Sequence, residues 1–327
     1  MKTYLKILST GIAVPDKVLT NYDLEKIVDT SDEWIVTRTG IRERRISENG
    51  ISSGDLGAKA GRMALESAGF DPMDLDLILV ATASGDHLFP STACIIQDKL
   101  GAKRATAFDI SAACSGFLYC LTVVYSLLNS GVFHNALIIG AETLSKITDY
   151  TDRSTCVIFG DGSGAMLVTL GDDGQGIFAS HLGSDGSFAS VLSLPAGGSR
   201  LPASLDTVAS HMHYIKMNGN ELFKIAVRSM EEAAHATLNK VNLSIDDIDL
   251  LIPHQANIRI INSLVKRLGV DKSRVYVNIE RYGNTSAASI PIAFHEARAR
   301  KICDENSLIL MVAFGGGITW AGVLLKG

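Results

Sequence analysis

The sequence predicts an α/β protein built on a sheet covered on both faces, and three observations carry that expectation. Short runs of almost wholly apolar residues recur at Leu77–Ala81, Ala136–Ala141 and Leu250–Pro253. Strands that lack polar alternation belong to sheets buried on both sides. Between them lie helix-length stretches, Asp55–Ala68, Ser115–Asn129, Glu221–Asn239 and Ile258–Leu268, with apolar residues at helical spacing. Gly69, Gly131 and Gly269 follow three of these, where a glycine in the left-handed conformation closes a helix. Near the N-terminus, Thr30 and Glu33 have the spacing of a capping box ahead of Trp34.

The third observation is an internal echo. Asp74-Leu-Asp-Leu-Ile-Leu-Val-Ala81 reads like Asp247-Ile-Asp-Leu-Leu-Ile-Pro-His254, and Phe159-Gly-Asp-Gly162 precedes a strand-like run as Phe314-Gly-Gly-Gly317 does. The order is the same in both parts, which predicts duplicated halves; chance recurrence of apolar strands and glycine turns is the competing account. The seam falls in the polar stretch Gly171–Gly176, giving halves of residues 1–172 and 173–327. The irregular segment Gly183–His213, which carries glycines, serines and two prolines, is expected to include surface loops.

Of 327 residues, 46% are hydrophobic and 20% charged, with a net charge of −5. These values describe a packed globular chain. They set nucleic-acid and membrane partners aside while leaving room for a local basic patch. No apolar run nears the ~20 residues of a membrane span, and Met1–Lys6 lacks the core of a signal peptide, so a cytoplasmic location is expected. Five dispersed cysteines without a C-x-x-C pair suit neither a disulfide framework nor a zinc site.

Four segments could carry chemistry. In Ala105–Phe117, ATAFDISAACSGF, a strand-like stretch passes through small residues into a helix, placing Cys114 at a helix N-terminus. The dipole and free N–H groups there favour a thiolate, which can bring a thiol from about 8.5 into the range of roughly 3.5–7.5. A core cysteine in a tight turn fits the same residues. His254 follows directly on a buried strand, so its ring emerges at the carboxyl edge where α/β proteins place ligands. Asn284, in Arg281–Pro291, either caps the following helix or aims an amide donor at an oxyanion. Phe314–Gly317 is either a plain hairpin turn or a turn that exposes a backbone N–H to an oxyanion.

In this order the four segments resemble the β-ketoacyl-acyl-carrier-protein synthase III enzymes, from SDEWIVTRTGIRERR (Ser31–Arg45) to FGGGITW (Phe314–Trp320). The resemblance implies a thiolase-like fold, duplicated halves in a five-layer αβαβα arrangement, and a homodimer. It implies Cys114 as nucleophile, His254 and Asn284 as its partners, and an oxyanion hole from the N–H groups of Cys114 and Gly316. Coenzyme A is expected at Trp34, Arg38, Arg153, Phe223 and Asn257. Acyl carrier protein is expected at Gln255, Ala256, Asn257, Arg259, Lys224, Lys266 and Arg267, with Arg42, Arg44 and Arg45 as an extension. Phe89 and Phe314 are expected to shape a short acyl pocket. The implied reaction joins a short acyl-CoA, such as acetyl-CoA, to malonyl-acyl-carrier-protein with loss of carbon dioxide, starting fatty acid synthesis. It requires no metal and no cofactor, since the coenzyme A thioester is a substrate. Related thiolase-fold enzymes with other acyl donors or acceptors remain an alternative. A cysteine hydrolase and a catalytically silent scaffold do too, although the papain-type CGSCW signature is missing.

Overall fold

The structure is a computed structural model that describes residues 3–327. Nine strands build the main sheet: β1 (Tyr4–Ala13), β2 (Leu77–Ala81), β3 (Thr106–Ile110), β4 (Asn135–Thr143), β5 (Asp161–Gly171), β6 (Gly176–Ser184), β7 (Leu250–Pro253), β8 (Leu308–Gly315) and β9 (Thr319–Lys326). Seven helices matter to the site: α1 (Asp32–Thr39), α2 (Ser53–Ala68), α3 (Thr92–Leu100), α4 (Gly116–Asn129), α5 (Gly219–Asn239), α6 (Ile258–Leu268) and α7 (Ser289–Ala299). The strand order is β7-β8-β9-β6-β1-β5-β4-β2-β3. The two parts meet where Leu5 of β1 lies opposite Ile177 of β6.

Packing divides this sheet into two slabs with helices between and outside them. Helices α4 and α7 share one core with Leu77 and Leu79 of β2, Ala136 and Ile138 of β4, and Met311 and Val323 of β8 and β9. The opposite face of β2, β4 and β5 packs on α2 and α3 through Ile78, Val80, Leu137 and Leu167. The opposite face of β7–β9 packs on α5 and α6 through Leu251, Leu310 and Leu324. The layers therefore run helix, sheet, helix, sheet, helix, the five-layer αβαβα arrangement. Helix α4 is apolar nearly all round because it lies between two sheets.

Leu77–Ala81 and Leu250–Pro253 form strands with the bounds read from the sequence, and α6 likewise; α2 starts two residues earlier, capped by Ser52. Gly69, Gly131 and Gly269 all have positive φ. The helix at Trp34 differs from the expected capping box. It begins at Asp32, so Ser31 is the cap and accepts from Trp34 N at 3.1 Å. Gly183–His213 is also more than surface loop. Val191, Ala196 and Thr207 in it are buried, and Leu192 and Leu194 line a cavity described below.

Arg44, expected to extend a basic surface, is fully buried. It lies in the short strand Glu43–Arg45, where successive side chains point to opposite faces, and donates to Leu19 O (3.1 Å), Asn21 Oδ1 (2.9 Å) and Val157 O (2.8 Å). Among the described residues no helix is long and apolar enough to cross a membrane.

Candidate active site

β3 and β7 both end at the site. After β3 the chain makes a 3₁₀ turn, Ala113–Ser115, and enters α4. Cys114 thus sits at a helix N-terminus, as its sequence context predicts. The turn is held by Ser115 Oγ and Thr319 Oγ1, which donate to Ala112 O at 2.8 and 2.9 Å. Gly315 lies against the same turn: a Cβ there would be 2.7 Å from Cys114 N and 2.9 Å from Ala112 O. Only glycine lets the β8–β9 hairpin come this close, and the next residue, Gly316, lines the cavity beside Cys114.

The thiol is not lowered as the helix terminus alone would have it. Cys114 is 8% exposed, and burial pushes it up to about 12, with the negative charge of Glu142 adding to the effect; Ser286 and the residue's own N–H pull the other way. Desolvation of the anion outweighs the helix terminus.

His254 extends the ladder of β7, donating from its backbone N–H to Val312 O at 2.8 Å. Its ring is fully buried, edge-on to Phe314 with centroids 5.7 Å apart. Nδ1 lies 2.7 Å from Ser289 Oγ at the start of α7, and Nε2 has no partner among the described residues. Burial drives the imidazole down to about 3, so it is neutral at physiological pH. In the tautomer in which the Ser289 hydroxyl donates to Nδ1, the proton resides on Nε2, a free donor.

Asn284 follows Gly283, whose φ of 64° and approach to Ile158 O exclude a side chain. The Asn284 backbone donates to Ile158 O at 2.9 Å, and its Oδ1 accepts from Ser286 N at 2.8 Å. That bond leaves the NH₂ end of the amide for the cavity.

Cys114, His254, Asn284 and Phe314 line one cavity of about 590 Å³, which continues outward past Trp34, Arg38, Phe223, Asn257 and Arg259. Two guanidinium groups lie over the Trp34 ring, Arg153 at 4.9 Å and Arg38 at 5.7 Å from its centroid. Arg259 covers Phe223 at 5.8 Å. A shallow depression beside them is lined by Phe223, Lys224, Lys266 and Arg267. Behind Cys114 lies a second, smaller space of about 170 Å³, walled by Leu144, Ile147, Phe159, Leu192, Leu194 and Ile215.

Several expected site residues are placed elsewhere. Gln255 is 1% exposed, its amide donating to Pro253 O and Tyr276 O while its oxygen accepts from Asn278 N. It braces the loop that carries His254 and is no surface contact. Ala256 is also buried, though it lines the large cavity. Asn257 caps α6 by accepting from Arg259 N. Arg267 is paired with Glu231. Phe314 borders the large cavity rather than the small one, and Phe89 is 86% exposed, reaching neither cavity of its own chain. Sequence reasoning missed Ser289, Ser286 and Glu142. Ser286 and Ser289 lie inside the Arg281–Pro291 motif, whose small residues were the available signal. Glu142 follows the apolar run Ala136–Ala141 directly, and its letter alone does not distinguish a buried carboxylate from the polar end of a strand.

Two neutral donors in one cavity with a thiol suit thioester exchange and enolate stabilisation, not hydrolysis driven by an imidazolium. Fold and site together define a condensing enzyme of the thiolase class. The family model "3-Oxoacyl-[acyl-carrier-protein (ACP)] synthase III" matches residues 108–186, and its C-terminal counterpart matches residues 238–327. The β-ketoacyl-[acyl-carrier-protein] synthase III of Caldanaerobacter subterraneus subsp. tengcongensis is 52% identical over 98% of this chain and 97% of its own. That of Clostridioides difficile is 49% identical over 100% and 99%. The crystal structure of the Aquifex aeolicus synthase III covers 99% of this chain and 100% of its own at 50% identity, with a TM-score of 0.91. The chain belongs to the β-ketoacyl-acyl-carrier-protein synthase III family and is an acyltransferase-type condensing enzyme.

Proposed function

We propose that the chain starts fatty acid synthesis by a decarboxylative Claisen condensation of a short acyl-CoA with malonyl-acyl-carrier-protein. Cys114 attacks the acyl-CoA carbonyl, the N–H groups of Cys114 and Gly316 receive the developing oxyanion, and coenzyme A leaves the acyl-enzyme. Malonyl-carrier-protein then loses carbon dioxide. The resulting enolate oxygen accepts from Nε2–H of His254 and the Asn284 amide, and the carbanion carbon attacks the acyl group on Cys114. The observation that carries this reading is the free Nε2 of a neutral His254 in one cavity with Cys114 and Asn284. On this reading the reaction needs no metal or bound cofactor, because two hydrogen-bond donors receive the enolate charge.

Trp34 with its flanking guanidinium groups supplies an aromatic face and positive charge, the two features that a nucleotide with phosphates requires. Arg259, Lys224 and Lys266 supply the positive surface for an acidic carrier protein, with Arg267 largely neutralised by Glu231. Leu88 and Phe89, 87% and 86% exposed, support assembly of the cytoplasmic protein as a homodimer, in which Phe89 would reach the partner's acyl space.

The test is mass spectrometry of the chain after exposure to acetyl-CoA, followed by addition of malonyl-carrier-protein. An acetyl group on Cys114 that is converted to ketoacyl product with release of carbon dioxide is expected. Absence of the adduct, or its simple hydrolysis, would overturn the reading.

A further inference from the structure

Glu142, at the end of β4, is a buried carboxylate to which the described residues supply no cation within ion-pair distance. Its oxygens accept from Ala83 N at 3.1 Å, Thr82 Oγ1 at 3.4 Å, Ala287 N at 3.4 Å and Ser84 Oγ. These donors come from the loop after β2 and the turn Ser286–Ala288, two segments that also border Cys114. Ser286 is 2% exposed and held at a φ of 47°, a region that non-glycine residues seldom occupy. Its hydroxyl has no hydrogen-bond partner among the described residues, Ser286 lines the small cavity together with Cys114, and the next residue, Ala287, donates its N–H to Glu142. A buried hydroxyl left unpaired in strained backbone points to function. His254 is a poor acceptor for the thiol proton, because burial opposes the imidazolium and Nδ1 is committed to Ser289.

We propose that Ser286 and Glu142 form a relay that takes the proton from Cys114 as the acyl-enzyme forms and returns it to the departing thiol. The inference rests on the reading of Cys114 as the acyl carrier. The Cys114 S–H proton passes to Ser286 Oγ while the Ser286 hydroxyl proton passes to a Glu142 oxygen. The electron pair left on sulfur forms the bond to the thioester carbon. When the tetrahedral intermediate collapses, the carbon–sulfur bond to coenzyme A breaks and the reverse transfers protonate that thiolate. Burial pushes the Glu142 carboxyl up to about 7, so it accepts protons above that pH and is filled below it. The other acids on adjoining segments are engaged elsewhere. Asp161 takes Ser47 N and the backbone and hydroxyl of Ser145, Asp86 takes Gly54 N, and Asp109 takes Thr92 N and Ala93 N.

The experiment is the rate of coenzyme A release from acetyl-CoA across pH, in the wild-type chain, Ser286→Ala and Glu142→Gln, with malonyl-carrier-protein decarboxylation as the second readout. Both variants are expected to acylate about 10²-fold more slowly at neutral pH. Both should lose the rise in rate through about pH 7 and keep decarboxylation within a few-fold. Ser286→Ala leaves every Glu142 hydrogen bond in place, so it decides the matter even where Glu142→Gln does not fold. A Ser286→Ala variant with the wild-type rate and pH profile would overturn the relay while leaving the acyl-enzyme standing. A wild-type chain that takes up no acetyl group at Cys114 would overturn both.

Discussion

The imidazole of His254 and the hydroxyl of Ser289 lie 2.7 Å apart, and the far ring nitrogen of His254 has no partner among the described residues. One end of the ring is fixed so that the other can donate. Ser289 opens α7, two helical turns before Glu296 on the same face. Glu296 accepts from Asn278 Nδ2, Tyr282 OH and Arg281, on the segment that leads to Asn284. A single helix face thus orients both donors.

Ser289→Ala should therefore impair decarboxylation more than acyl transfer to Cys114. Loss of the tautomer-setting bond leaves the ring free to put its proton on Nδ1, where it faces away from the substrate. Removal of a direct oxyanion donor costs about 10²–10³-fold in rate, so an indirect effect of about tenfold is expected. Carbon dioxide release and coenzyme A release, measured separately, check it; equal losses in both would refute the orienting role.

His254 also makes stability depend on pH. Its folded value is about 3 against 6.5 in the unfolded chain, so below 6.5 the unfolded chain binds the extra proton. The contribution is fully present above 6.5 and is lost as pH falls from there toward 3, by up to about 1.4 kcal/mol per pH unit. Urea unfolding of the wild type should show this decline, and His254→Gln should flatten it. Parallel curves for the two proteins would contradict it.

Cys114, His254, Asn284 and Gly316 were legible because each lies at a strand end or glycine turn, and the small residues around them have few other uses. Apolar runs fixed the strands for the same reason: a sheet covered twice tolerates little else. What escaped were contacts made across the chain. The basic run Arg42–Arg45 reads as one charged surface, yet strand alternation turns Arg44 into the core. Gln255 beside His254 reads as a polar contact, yet its amide completes three backbone bonds. Ala113 and Ser286 show the internal repeat more sharply than the strand patterns do. Each opens the 3₁₀ turn before a central helix, with φ of 46° and 47°, and dihedral angles cannot be read from residue letters.

Arg44→Met keeps the buried volume but strands three acceptors, Leu19 O, Asn21 Oδ1 and Val157 O. Each orphaned group costs about 1 kcal/mol or more. Removing a desolvated guanidinium, lowered to about 10 by burial, offsets part of the loss. A net destabilisation of about 2 kcal/mol is expected, read as a lower urea midpoint with unchanged slope. A neutral result would mean that relief of desolvation wins.

Lys266 lies in the depression beside Phe223, outside the cavity that holds Cys114. Lys266→Glu should raise KM for malonyl-carrier-protein several-fold and weaken its dependence on salt, as expected for a rim charge that steers an acidic partner. KM for acyl-CoA should stay where it was. A change confined to acyl-CoA would move the docking surface elsewhere.

Ile215 closes the small space behind Cys114 together with Leu144, Ile147 and Leu194. It is 7% exposed, and its N–H donates to Ile147 O at 2.9 Å, so the side chain can be cut back while the backbone stays anchored. At about 170 Å³ the space has room for a short acyl group, and on the reading proposed above its largely apolar lining would discriminate by size. Ile215→Ala lengthens it, and butyryl-CoA should gain on acetyl-CoA by about tenfold in kcat/KM, the effect of a methylene or two in an apolar pocket. The truncation also destabilises the fold by about 2–4 kcal/mol. The informative quantity is therefore the ratio between primers in one preparation, which a loss of folded protein leaves unchanged. An unchanged ratio would show that another wall sets the chain length.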